Sequence, residues 1–174
     1  MTEKQNNPMK AVRVEKVTVN MGVGQPGEEL KRAQTIMEMI TGTKSIQTLC
    51  KVKQPTWGIR EGLPIGVKVT LRKKKAEEFL RRALKAKDNA LLAKNFDIRG
   101  NFGFGIREHI DLQGIKYDPK LGIRGFDVLV TLERRGYRVK KRKTKKQIMA
   151  KHHWVNKDDA MEFVKENFGV EING

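Results

Sequence analysis

IREGLPIGVKVTLR, residues 59–72, is the stretch on which the fold turns. Two glycine-bracketed turns lead into a strand in which Val67, Val69 and Leu71 point one way and Lys68, Thr70 and Arg72 the other, as a side-chain period of two requires. One face can bury against a core. The other holds two cations and a hydroxyl outward, a chemistry suited to the phosphates and 2′-hydroxyls of folded RNA and not to a reaction.

Upstream, AVRVEKVTVNMGVG (11–24) reads as a strand with a fault. Val12 and Val14 share one parity and Val17, Val19 and Met21 the other, so the inside face switches near Glu15 and Lys16, as a bulge produces. Beyond the fault Lys16, Thr18 and Asn20 form a second polar row. The two rows lie side by side if their strands are neighbours.

Between these strands, residues 28–40 carry Leu30, Ala33, Met37 and Ile40 at helical spacing, with Gly42 as a stop signal. A short strand is expected over 45–50. Residues 51–62, KVKQPTWGIREG, have no period and read as an exposed basic loop. A second amphipathic helix is expected over 73–86, with Ala76, Phe79, Leu80, Ala83 and Leu84 on one stripe.

Downstream, Phe102, Phe104, Ile106, Ile110 and Leu112 share a parity that predicts one extended strand, and Phe126, Val128, Val130 and Leu132 predict another. Gly136 is expected to turn this last strand back on itself. A basic block without an acidic residue follows over 139–151. Asn156 then reads as a helix N-cap, with Asp158 and Asp159 in the first turn and Gly169 at the close. Irregular mixing of strands and helices predicts an α+β fold, a largely antiparallel sheet with helices packed on one face.

The chain has 174 residues and a formal net charge of +17, which implies a polyanionic partner. Residues 1–9 are expected to be disordered, and residues 10–174 to form a single RNA-binding domain with a basic C-terminal extension, 139–174. The start MTEKQNNP has no apolar h-region, so no secretory signal is expected, and no apolar run approaches a membrane span. The lone Cys50 fits a reducing cytosol and reads as a small buried hydrophobe. Aromatics are only 6% of residues, which moves the expected mode of binding from base stacking towards phosphate and shape recognition.

No catalytic constellation is legible. Glu61, Glu108 and Asp127 have no triad-like neighbours and read as ion-pair partners of nearby Lys and Arg. His152 and His153 are adjacent, not convergent, and no phosphate loop occurs. No cofactor, metal or enzymatic activity is expected. RGNFGFGI (99–106) only loosely fits an RNA-recognition strand, so its phenylalanines read as core. Lys140, Lys141, Arg142, Lys143, Lys145 and Lys146 read as additional basic RNA contacts. A chromatin-like DNA protein is a rival, without an obvious groove-entering basic helix. An RNA-modifying enzyme is another, without a cofactor loop or metal cluster.

Five motifs then agree in order and spacing: VTVNMGVG (17–24), TGTKS (41–45), IREGLPIGVKVTLR, GIREHI (105–110) and YDPKLGIRGFD (117–127). Together they resemble the 5S-rRNA-binding family of large-subunit ribosomal proteins known as "L five", over residues 9–172. The ending KHHWVNKDDAMEFVKENFGVEI is similar to the archaeal and eukaryotic branch.

The resemblance implies a structural constituent of the large subunit's central protuberance, cytoplasmic and in the ribosome, bound to 5S rRNA and large-subunit rRNA. It assigns Asn20, Thr70 and Arg72 to the 5S interface, with Lys68 and Lys44 beside them. It also implies that a loop at about 51–62, bearing Lys51, Lys53, Gln54, Trp57 and Arg60, approaches the peptidyl-site tRNA. Residues 96–125 would contribute to an intersubunit bridge with the small-subunit head protein S thirteen. No homo-oligomer is expected. Where the family has a Gly-Gln-Lys/Arg-Pro turn, this chain has Gly42-Thr43-Lys44-Ser45, so a glutamine contact does not carry over, and Thr43 keeps a hydroxyl of shorter reach.

Overall fold

The computed structural model describes residues 7–173, and within it the alternation over 67–72 becomes part of a five-stranded sheet. In chain order the elements are β1 (Val12–Gly22), α1 (Glu28–Thr41), β2 (Ile46–Leu49), β3 (Pro64–Leu71), α2 (Lys73–Lys85) and β4 (Ala90–Leu92). They continue with β5 (Phe102–Ile106), β6 (Phe126–Arg134), α3 (Arg138–Lys141), α4 (Lys157–Phe168) and β7 (Glu171–Asn173). The sheet runs β2-β3-β1-β6-β5, with every neighbouring pair antiparallel. This is the expected α+β architecture.

The fault in β1 is a bulge. Pairing with β6 steps from Val14↔Leu132 to Lys16↔Thr131, leaving Glu15 as the extra residue, so Val14 and Val17 are both buried. Helix α1 buries Leu30, Ala33, Ile36, Met37 and Ile40, and α2 buries its whole predicted stripe. They pack on the apolar face, α1 against β3 and α2 against β1. Each large aliphatic or aromatic side chain so buried contributes about 1.5–3 kcal/mol relative to exposure. Arg82 donates through Nη2 to the Ile40 carbonyl at 3.0 Å, tying α2 to the open C-terminal end of α1. Gly42 closes α1 at φ 60°, donating to the Glu38 carbonyl at 2.8 Å. In α4, the Asn156 N–H donates to Asp159 Oδ2 at 3.1 Å, the reciprocal contact of a capping box.

Three local expectations are corrected. The strand predicted over 102–112 ends at Ile106, because its partner β6 begins at Phe126, opposite Ile106. Ile110 instead lies in a 3-10 turn, His109–Asp111. A side chain at Gly125 would stand 2.7 Å from the Arg107 carbonyl, so only glycine lets the chain re-enter there. Gly136 does not return the strand on itself; the chain goes into the single helical turn α3. Cys50 is partly exposed, with its thiol 2.9 Å from the Val52 carbonyl. Finally, β4 and β7 form a parallel pair that the sequence did not announce, since three-residue strands are too short to show alternation.

Residues 1–6 of the stretch expected to be disordered lie outside the described residues, while 8–10 form a turn. Among the described residues no helix is long and apolar enough to cross a membrane.

Candidate nucleic-acid interface

The register brings the two polar rows together. Thr18 pairs with Thr70 and Asn20 with Lys68 on β1 and β3, and across β6 the rows continue as Leu129 and Asp127. On β5 these meet Gly103 and Gly105. The face opposite the helices thus presents Lys16, Thr18, Asn20, Lys68 and Thr70, with Arg72 at its corner. Lys68, Thr70 and Arg72 are exposed, and the three β1 residues are partly covered by their neighbours.

Relief on this face is low, because four of its outward positions are glycine: Gly22, Gly66, Gly103 and Gly105. A Cβ at Gly66 would stand 2.8 Å from Thr48 Oγ1, and one at Gly103 2.8 Å from Leu129 Cδ2. With the Thr48 and Leu129 side chains lying over two of the glycines, the face is a low surface of hydroxyls, amide and cations of the kind that suits a sugar–phosphate chain. Sequence reading missed the Gly103 and Gly105 share of it, although alternation with Phe102 and Phe104 marked those positions as outward.

At one edge of this face, the helix N-terminus beside Arg72 is cationic. Lys73, Lys74 and Lys75 occupy the first turn of α2 with no acid among them, and Lys73 has φ 56°. Both features run against helix-dipole and backbone preference. A polyanion on this edge would offset the first. Such local conflicts in a well-packed fold are expected at functional or strained positions.

The turn after α1 is held by its own side chains. Thr41 Oγ1 donates to the Met37 carbonyl at 2.7 Å, Thr43 Oγ1 to the Thr41 carbonyl at 3.3 Å, and Ser45 is bound by Glu38 Oε1. Thr43 is therefore partly buried, whereas Lys44 is exposed.

The basic loop stands clear of the sheet, with residues 51–58 and Arg60 all exposed. Gln54 and Ile59 bridge its base through paired backbone hydrogen bonds of 2.9 and 3.1 Å, and a 3-10 turn, Pro55–Trp57, makes the tip. Trp57 is 73% exposed and belongs to no core. Lys51, Lys53 and Arg60 flank it.

The basic block divides in two. Lys140, Lys143, Lys145 and Lys146 are exposed. Arg142 Nε donates to the Lys145 carbonyl at 2.6 Å, and Lys141 reaches Glu15 and Glu133 at 2.6 and 2.9 Å. Arg72 also reaches Glu15, at 3.4 Å, and Arg13 reaches Glu133 at 2.7 Å. Burial pushes the Glu15 carboxyl up, but the hydrogen bond and charge of Lys141, with Lys16 and Arg72 behind, outweigh it and leave the group below the usual carboxylate range. Lys141 is correspondingly raised, its two carboxylates prevailing over burial.

Glu61, Glu108 and Asp127 make no ion pair among the described residues; the carboxylates near the bulge take that role, because the cations converge there. Among the described residues no group of three His, Cys, Asp or Glu side chains is placed to hold a metal ion.

Comparison with known proteins is consistent along the chain. A family profile described as Ribosomal protein L5 matches residues 7–60, and a second profile, describing the C-terminus of the same ribosomal family, matches residues 64–163. Both halves contribute strands to the same sheet. The chain is 50% identical over 167 residues to the Large ribosomal subunit protein uL5 of Sulfurisphaera tokodaii, covering 95% of this chain and 94% of that protein. It is 49% identical over 171 residues to the protein of the same name from Methanococcus maripaludis, covering 97% and 94%. With that of Methanococcus aeolicus the identity is 48% over 171 residues, with the same coverage.

Proposed function

The chain belongs to the uL5 family of ribosomal proteins, in its archaeal form, and from that membership we propose that its outward sheet face holds 5S rRNA in the large subunit. Proteins of this family are non-catalytic, structural and RNA-binding. The observation that supports the 5S reading is the register Thr18↔Thr70 and Asn20↔Lys68, which gathers hydroxyls, an amide and a cation on one flat face. Lys16, Lys44 and Arg72 surround that patch. Its mechanism is neutralisation of phosphates by Lys and Arg, with Thr and Asn reading backbone shape, so that an already folded RNA is held in place.

A second surface serves a second partner. The exposure of Trp57, with Lys51, Lys53 and Arg60 beside it, suits contact with the peptidyl-site tRNA by a loop that projects from the sheet. Residues 96–125 are assigned to the bridge with the small-subunit head protein S thirteen, and the exposed lysines of the extension to large-subunit rRNA. The protein acts as one copy in the cytoplasmic ribosome, residues 10–174 working as one RNA-binding unit.

Footprinting of 5S rRNA by hydroxyl radicals generated from probes tethered at position 68 or at position 57 tests this division. Cleavage of 5S rRNA from position 68 and not from position 57 supports it; the reverse pattern contradicts it.

A further inference from the structure

The outward face continues past the bulge into a pocket. There the chain from α3 to Val155 folds over the end of β5 and β6 and borders an open pocket of about 130 Å³, walled by Asn101 just before β5, by Thr131 on β6 and by Met149 and Trp154 on the extension. A wider groove of about 570 Å³ shares Arg99, Lys140, Met149 and Trp154 as walls and adds Lys146. The smaller volume is on the scale of the engineered cavity of ~150 Å³ that admits a benzene ring. The Arg99 guanidinium lies 4.7 Å from the centre of the Trp154 ring, a cation–π contact that holds the indole in place. Asn101 and Thr131 are only partly exposed, and neither side chain has a hydrogen-bond partner among the described residues.

We propose that this pocket takes one unpaired nucleobase of ribosomal RNA, its ring beside Trp154 and Met149, its polar edge on Asn101 and Thr131, and its flanking phosphates on Arg99, Lys140 and Lys146. The proposal rests on the RNA-binding reading above and adds a base-specific site to a surface otherwise suited to backbone. A flat heterocycle satisfies both kinds of wall at once: it is apolar on its faces and rich in donors and acceptors at its edge. An aliphatic side chain from a protein partner would bury the Asn101 amide and the Thr131 hydroxyl without hydrogen bonds, which is costly. The rim favours phosphate, since three cations border the groove and the carboxylate on the pocket floor, Glu15, is already engaged by Lys141.

The full chain carrying Trp57→Phe retains Trp154 as its one indole and hence as a reporter. It is titrated with single-stranded hexaribonucleotides of adenosine and of uridine, with an abasic strand of the same length and charge, and with 5S rRNA. At least one base-bearing strand should quench Trp154 and bind roughly tenfold more tightly than the abasic strand, the scale of a single stacked base. Asn101→Leu with Thr131→Val should reduce that advantage severalfold and leave abasic binding unchanged; Thr131→Val alone serves if the double variant does not fold. Equal binding and quenching by the abasic strand overturns the proposal. So does quenching by an acidic, aromatic-containing peptide but by none of the oligonucleotides. If 5S rRNA still binds in either case, only the pocket assignment fails; if it does not, the RNA-binding reading fails too.

Discussion

Lys141 Nζ lies 2.6 Å from Glu15 Oε1, so the basic extension is fastened to the sheet at the residue that the β-bulge leaves unpaired. Lys141 also meets Glu133 at 2.9 Å, and both glutamate side chains are only 11% exposed. The bulge thus has a use: it turns a carboxylate out of the regular alternation to receive a cation from 126 positions further along the chain. That cation is committed to two carboxylates, whereas Lys140 and Lys143 on either side of it are exposed and make no ion pair among the described residues.

Lys141→Met should therefore destabilise the fold by about 1–2 kcal/mol, less than for a fully buried pair because Lys141 is itself nearly half exposed. The effect should depend on pH. Glu15 is lowered on folding, so its share of stability is present above its unfolded pKa and is lost as pH falls through its folded one. Lys141 is raised, so its share is present below its unfolded pKa and is lost as pH rises through the folded one. Urea midpoints of wild type and variant should differ most near neutrality and converge in acid. A difference that stays constant down to strong acid would refute the linkage.

Gly100→Ala should cost about 1–3 kcal/mol. Gly100 has φ +71°, and a Cβ there would stand 2.6 Å from Val155 Cγ1 and 3.1 Å from the Asn156 carbonyl. The substitution pushes the extension off the sheet, so proteolysis after residue 139 should accelerate along with the loss in thermal stability. Unchanged cleavage would mean that the extension is not docked through this contact.

Why Gly100 escaped the sequence reading is instructive. Alternation identified β1, β3 and β6 and their buried faces because each has one wet side, and helical spacing found α1, α2 and α4. Contacts between distant segments leave no such trace. Nothing in the spacing of Arg99 and Trp154, or of Glu15 and Lys141, announces that they meet. Likewise, a shared parity carried the strand through Ile110 and Leu112, although the chain had no partner beyond Ile106. Of the polar face, two rows were legible as separate patterns, but their apposition depended on strand order.

The loop at 51–62 should be separable from the rest. Trp57→Ala should change stability by no more than about 0.5 kcal/mol, since the indole is 73% exposed. Replacing Lys51 and Lys53 by alanine should leave 5S rRNA binding within a few tenths of a kcal/mol, yet weaken tRNA retention in assembled ribosomes. Protection of this loop that is already complete in the isolated 5S complex would assign it to 5S rRNA and overturn the tRNA reading.

The central claim is that the face bearing Lys68, Thr70 and Arg72 holds 5S rRNA through its phosphates, and the salt dependence of binding tests it most directly. Affinity of wild type, Lys68→Ala and Arg72→Ala is measured by filter binding from low to physiological salt, with circular dichroism to verify folding. Each substitution should weaken binding by about 1–3 kcal/mol and reduce the slope of log K against log salt by roughly 0.7–0.9, one released counterion. Arg72→Ala should keep its fold, because Lys141 still neutralises Glu15. Variants that fold normally and bind with the wild-type affinity and slope would contradict the account.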